Sequence, residues 1–320
     1  MAASLSLPIS GSAGFHRFGE SVKPSISASR ISFSSSPIRS LNTKSVSVAS
    51  TSGWGVRARA SAGEKMAAEG NGNQRKEVFD SEEELAAELA KYTASLSEKF
   101  VNERGAFTCV VSGGSLIKSL RKLAEPPYVS QVEWSKWHVF WVDERVVPKN
   151  DPESNYKLAY DGLLSKVPIP AAQVYAINDA LPAEGAADDY ETRLKHLVTD
   201  GVIPLSATTG FPKFDLMLLG MGPDGHIASL FPGHPLVNEN KKWVAFIKDS
   251  PKPPPNRITF TLPVINSSAH IALVVTGSGK AGPVQAALGS GQPAQMLPVQ
   301  LVSPDGDLTW FLDKGAASKL

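Results

Sequence analysis

Phe214-Asp215-Leu216-Met217-Leu218-Leu219-Gly220-Met221-Gly222-Pro223-Asp224-Gly225-His226 decides how this chain is read. Residues 214–219 form a short, nearly continuous apolar run that stops at glycine. A run of that length and composition fits a strand covered on both faces, as in a parallel sheet. Polar residues able to do chemistry follow at once, where such a strand would emerge from the sheet. His226 there is placed for proton transfer near neutral pH, and Asp224, two residues earlier, can orient it or raise its basicity.

The same grammar repeats on either side. Asp80-Ser81-Glu82-Glu83-Glu84 offers an N-cap and a first turn of acids. The apolar period then runs through Leu85, Leu89, Tyr92, Leu96 and Phe100, with Gly105 as a stop. Strands are predicted at 106–111, 137–142, 173–177, 243–247, 257–262, 271–276 and 308–312. Helices are predicted from 115 to about 123, then over 154–164, over 186–198, and after Lys280 to about 288. Strands alternating with helices imply a single-domain α/β fold: a doubly wound, mostly parallel, Rossmann-like sheet with helices on both faces. Ligands of such sheets sit at the carboxyl ends of the strands. Four polar motifs fall there: Ser112-Gly113-Gly114-Ser115, Asp143-Glu144-Arg145, the Asp224/His226 segment and Gly277-Ser278-Gly279-Lys280.

Of 320 residues, 42% are apolar and 20% charged, an ordinary globular balance. The formal net charge of +1 hides an asymmetry. Residues 1–60 hold seven Lys/Arg, one acid (Glu20) and 17 serines; the rest hold 25 basic and 30 acidic residues. A mildly acidic domain does not attract polyanions as a whole, so nucleic acid is not an expected partner. No apolar run is long enough to span a membrane. A single cysteine, Cys109, rules out an intrachain disulfide, and its place within a strand predicts an inert core thiol.

The Ser-rich, basic, acid-poor opening without a long apolar block predicts an organelle transit peptide over 1–60, of plastid style, followed by a linker over 61–76. The folded domain is expected over 77–314. Residues 315–320 are expected to form a flexible tail ending in Ser318-Lys319-Leu320, a peroxisome-type address. Import receptors are therefore expected partners in both organelles.

The glycines of 112–115 allow backbone to approach an anion. The spacing to Lys118 fits no Walker loop, and no dinucleotide fingerprint is present, so neither NTP nor NAD is expected. Gly113, Gly114 and Ser115, with Arg257 at a strand start and Lys280 after its glycines, can jointly hold one phosphate. Asp143 and Arg145 can meet sugar hydroxyls or developing charge. His138, His196, His234 and His270 show no HxH or HExxH spacing, so no metal is expected. His138 reads as structural, whereas His234 reads as able to face the pocket. Residues 251–255 read as a rigid proline loop beside Arg257.

Gly220-Met221-Gly222-Pro223-Asp224-Gly225-His226-Ile227-Ala228-Ser229-Leu230-Phe231-Pro232-Gly233 resembles the signature of the 6-phosphogluconolactonases. Trp141-Val142-Asp143-Glu144-Arg145-Val146-Val147-Pro148 and Asp151-Pro152-Glu153-Ser154-Asn155-Tyr156 are similar to a second block of that family, and 112–115 and Arg257-Ile258-Thr259 also fit. The resemblance spans roughly 77–313. The wider superfamily includes glucosamine-6-phosphate deaminases, whose core is followed by a ring-opening Glu. Phe231 stands in that place here and cannot relay a proton.

The resemblance implies a phosphosugar lactone substrate, 6-phospho-D-glucono-1,5-lactone, opened to 6-phosphogluconate without metal or cofactor, and a monomer is the expected form. It implies His226 as general acid/base, positioned by Asp143 or Asp224. The oxyanion would be met by N–H groups or a cation such as Arg145. Two other readings remain: a deaminase-like isomerase, which would release ammonia from glucosamine 6-phosphate, and a sugar-phosphate sensor, which would bind without turnover.

Overall fold

A computed structural model describes residues 74–289 and 296–320. The expected transit peptide and most of the expected linker lie outside these residues. Seven parallel strands form the main sheet: β1 (Gln74–Phe79), β2 (Phe107–Val111), β3 (Trp137–Trp141), β5 (Val174–Tyr175), β6 (Leu216–Gly220), β9 (His270–Val275) and β10 (Asp307–Asp313). Their order is β1-β10-β9-β6-β2-β3-β5. A separate antiparallel sheet, order β4-β8-β7, is made by β4 (Asp143–Arg145), β7 (Val244–Ile247) and β8 (Arg257–Phe260). The helices are α1 (Glu82–Arg104), α2 (Ser115–Ser119), α3 (Tyr128–Gln131), α4 (Asn155–Gly162), α5 (Ala183–Thr199), α6 (Leu262–Asn266) and α7 (Ala281–Leu288). None of these helices is long and apolar enough to cross a membrane.

The strands are apolar throughout because both faces of the main sheet are covered. Val110, Met217, Leu219 and Leu273 enter one core with α5, while Cys109, Val111, Leu216, Leu218 and Val274 enter the other with α1. The period-two alternation of strand side chains makes that division. Ser81 caps α1 by accepting from Glu84 N at 3.2 Å, and Gly105 ends it at φ 76°, a left-handed conformation suited to glycine. The chain runs from β2 outward to β3 and β5, then returns to β6 and runs the other way through β9 and β10. The switch point therefore lies between β2 and β6, where a crevice opens at the strand ends.

Three expectations need correction. The linker predicted to 76 becomes strand β1 from Gln74. Its polar sequence QRKE carries no apolar signature because it lies at the sheet edge, paired only to β10. The segments predicted as strands at 243–247 and 257–262 pair with each other, and the second also pairs with Asp143–Arg145, instead of joining the main sheet, since a short apolar run does not reveal its partner. Residues 315–320 form successive turns, not a flexible tail. Ala316 is fully buried, and its N–H donates to Asp313 Oδ1 at 2.7 Å; Ser318, Lys319 and Leu320 are exposed.

A buried ion pair fastens α1 to the sheet at the end opposite the crevice. Asp215 accepts from Arg104 Nε at 3.1 Å and from Arg104 Nη2, from Thr108 N at 2.7 Å and from Thr108 Oγ1 at 2.9 Å. Breaking a buried pair leaves the other charge uncompensated. Asp215→Ala is expected to cost about 3 kcal/mol in a urea titration, with KM unchanged in the fraction that stays folded.

Candidate active site

Four strand ends and the β8 start converge on one cleft. Ser112 holds the two central strand ends together, accepting from Gly220 N at 3.3 Å through its hydroxyl. Gly113 is packed so tightly on Asn155 that a Cβ there would lie 1.9 Å from its Oδ1. Gly114 adopts φ 68°, ψ −147°, a conformation for glycine, and Ser115 then starts α2. From the β9 end, Lys280 brings its Nζ to 3.4 Å from Ser115 Oγ. Burial holds Lys280 below the usual lysine range against the pull of Asp313. The fold thus brings the glycine turn and Lys280 together.

Past β3, Asp143 is buried and lines the cleft. Its Oδ2 accepts from Ser229 Oγ at 2.8 Å, and its carbonyl accepts from Asn155 Nδ2 at 3.0 Å. Glu144 points away and accepts the N–H groups of Arg145, Asn155 and Tyr156, each at 2.7 Å, which fixes the start of α4. Burial pushes Glu144 up to about 7 against those bonds. Arg145 lines the cleft; its Nη1 donates to Glu153 O at 2.5 Å, while its buried Nε has no partner.

After β6 the chain turns back on itself, with Gly222 N donating to His226 O at 2.9 Å and Gly225 at φ 80°. The turn lays His226 over Gly222. His226 Nδ1 lies 2.5 Å from Asp224 Oδ1, so Asp224 and not Asp143 is its hydrogen-bond partner. With Nδ1–H given to that carboxylate, Nε2 keeps its lone pair; among the described residues it has no hydrogen-bond partner. The Phe231 ring covers the imidazole at 4.8 Å between centroids. Burial holds His226 below the ordinary histidine range, against Asp224, which pulls it upward. Burial alone would raise Asp224, but hydrogen bonds from Lys252 and His226 hold it down at about 2.

Arg257 also lines the cleft, but most of its guanidinium is committed elsewhere. Nε donates to Pro254 O at 3.0 Å, and Nη2 donates to Lys252 O at 2.9 Å and Pro253 O at 3.0 Å. Only Nη1 faces Ser229 Oγ, at 3.4 Å, and Asp143, at 4.0 Å. His234, expected at the pocket, is turned outward to Asp249 at 3.3 Å and does not line it. The motif proline before it redirects the chain. His138 is tied to Tyr175 and Gln173 within the sheet, and Cys109 is buried, with its thiol pushed far above the usual range. Among the described residues no three His, Cys, Asp or Glu side chains converge as a metal site.

Sequence reading missed three participants: Asn155, Ser229 and Lys252. Asn155 and Ser229 lie inside recognisable motifs, but their contacts join distant segments. Lys252 sits in a proline run that carries no periodicity.

Residues 80–310 match the family model described as glucosamine-6-phosphate isomerases/6-phosphogluconolactonase. A probable 6-phosphogluconolactonase 4, chloroplastic, of Oryza sativa subsp. indica is 73% identical over 245 residues, 76% of each chain. The 6-phosphogluconolactonase 3, chloroplastic, of Arabidopsis thaliana is 68% identical over 77% of this chain and 75% of its own. Among solved structures, 6-phosphogluconolactonase of Thermotoga maritima superposes with a TM-score of 0.64 at 27% identity, covering 75% of this chain and 100% of that one. The cleft at the β2/β6 switch point, its glycine turn and its Asp224–His226 pair are thus carried on a shared fold and a closely matching sequence, and the chain belongs to the glucosamine-6-phosphate isomerase/6-phosphogluconolactonase family.

Proposed function

We propose that this protein hydrolyses 6-phospho-D-glucono-1,5-lactone to 6-phospho-D-gluconate, the second step of the oxidative pentose phosphate pathway. One observation carries the reading. His226, fixed through Nδ1 by Asp224, shares a single cleft with Lys280 and the Gly113–Gly114–Ser115 turn. A base and a phosphate cradle at two ends of one cleft suit a phosphorylated ester.

The 6-phosphate is held by Gly113, Gly114, Ser115 and Lys280, with Arg257 Nη1 adding charge from the far wall. His226 Nε2 takes a proton from water as its oxygen attacks the lactone carbonyl carbon. The oxyanion is met by a cation of the Asp143 edge, and the place of the Arg145 side chain in the cleft wall supports that residue for the task. Protonated His226 then gives its proton to the ring oxygen as the C–O bond breaks. Asp143, held by Ser229 and Asn155, orients the sugar. Only proton transfers are required, because the lactone is already an activated ester. Phe231 lies over His226, in the place where the resembled deaminases carry their ring-opening Glu, and this favours the lactonase reading.

The chloroplastic names of the two plant relatives, together with the Ser-rich opening, support a plastid location. Ser318-Lys319-Leu320, exposed in the fold, supports a second address in the peroxisome. We take the working form as a monomer.

The test is opening of freshly made lactone by the purified protein, with the spontaneous rate subtracted. Acceleration supports the proposal, and none from a folded sample sinks it. Lys280→Met is expected to raise KM about 10- to 100-fold while kcat stays within a few-fold. That range follows from losing one charge-assisted hydrogen bond, about 1.5–3 kcal/mol. Initial rates over a substrate series separate the two constants.

A further inference from the structure

Lys252 has no place in the mechanism above, yet it makes the closest cationic approach to the dyad. Its Nζ lies 2.9 Å from Asp224 Oδ1 and 3.2 Å from His226 Nδ1. Neither Lys252 nor Asp224 lines the cleft, whereas His226 does. The ammonium therefore meets the dyad at the Asp224 oxygen and the Nδ1 side of His226, outside the cleft lining.

Its backbone is fixed with unusual thoroughness. Ser250 Oγ accepts from Lys252 N at 3.2 Å and donates to Lys252 O at 2.8 Å. Arg257 binds the carbonyls of Lys252, Pro253 and Pro254. Proline rings restrict φ at 251 and at 253–255, on both sides of Lys252. A buried guanidinium thus spends most of its donors holding the loop that delivers one lysine.

We propose that Lys252 is a positioning residue that clamps Asp224 and keeps His226 neutral, with Nδ1–H toward Asp224 and Nε2 free to accept a proton. This rests on the reading of His226 as the base. An Asp–His pair alone favours the imidazolium, because the carboxylate stabilises a positive ring. An ammonium sharing the same carboxylate oxygen opposes that pull. The other groups facing His226 are Asp143 from β4, which favours the imidazolium, the uncharged ring of Phe231, and Arg257 of β8 above that ring at 5.7 Å. Lys252 is the cation in direct reach of Nδ1. Burial and Lys252 act in the same direction on His226.

The experiment compares the parent with Lys252→Met and Lys252→Arg. Two quantities are read: the pH dependence of kcat/KM for the lactone, and the NMR titration of the His226 ring nitrogens. In Lys252→Met both should move up by about one pH unit, so the loss at pH 6 exceeds the loss at pH 8 by about tenfold. Lys252→Arg should restore most of the shift. A KM raised tenfold with both profiles unmoved would overturn the proposal and assign Lys252 to substrate. Unmoved profiles without a KM change would overturn it as well. If Lys252→Met does not fold, Lys252→Gln takes its place. Should the parent fail to open the lactone, the proposed reaction falls, while the ring titration still decides what Lys252 does to His226.

Discussion

Replacing His226 with Asn is expected to lower kcat for the lactone by about 10²–10⁴-fold, the usual contribution of a positioned acid/base. KM should change little, because the phosphate end of the cleft is built from other strands. Asn keeps a polar atom near Asp224 Oδ1 and so limits the disturbance to the turn. The parent should show an acidic limb in kcat/KM below pH 6.5. The sign follows from the role: a general base works when neutral, and burial holds the folded His226 below its ordinary value. Activity is therefore present above that lowered pKa and lost as pH falls through it. In the His226→Asn variant the limb should vanish along with the rate. Initial rates from pH 5 to 8, each corrected for spontaneous opening, measure both effects. Unchanged turnover would remove His226 from the mechanism.

The division between what sequence reveals and what it hides follows the range of the interactions. Helix α1 is legible because its cap, its period and its stop lie within one segment, from Ser81 to Gly105. The strand ends bearing Gly113, Asp143, His226 and Lys280 are legible because apolar runs stop where polar motifs begin. Strand β1 is not, since edge pairing through backbone leaves no side-chain pattern. Nor is the β4–β8 pairing, which joins residues more than a hundred positions apart. The site divides the same way. Asp224 is two residues from His226, and the turn between them makes their contact local. Asp143 seemed an equal candidate in sequence, but its carboxylate is occupied by Ser229, 86 positions away. Lys252 reaches the dyad across 26 positions through a loop whose shape depends on Arg257. No pattern in the chain announces such a meeting.

Gly222→Ala should nearly abolish turnover while leaving the fold intact, and the reason is geometric. A Cβ on Gly222 would lie 2.1 Å from both Cε1 and Nδ1 of His226 and 2.7 Å from Asp224 Oδ1. Something must move. The backbone here has no left-handed φ, so alanine is not strained in itself. The turn is anchored by Gly222 N to His226 O, which the methyl does not touch. The cheapest relief is rotation of the imidazole away from Asp224, since a side-chain tip moves more easily than a packed backbone. A catalytic group misplaced by about 1 Å costs about 10²-fold, and loss of the dyad contact adds to that. The thermal midpoint should fall by only a few degrees, about 1 kcal/mol or less. The discriminating measurement is kcat beside the melting curve. A large loss of kcat with a nearly unchanged melt would mean that glycine stands at 222 for the sake of His226. A collapsed melt would mean instead that the turn itself cannot carry a side chain.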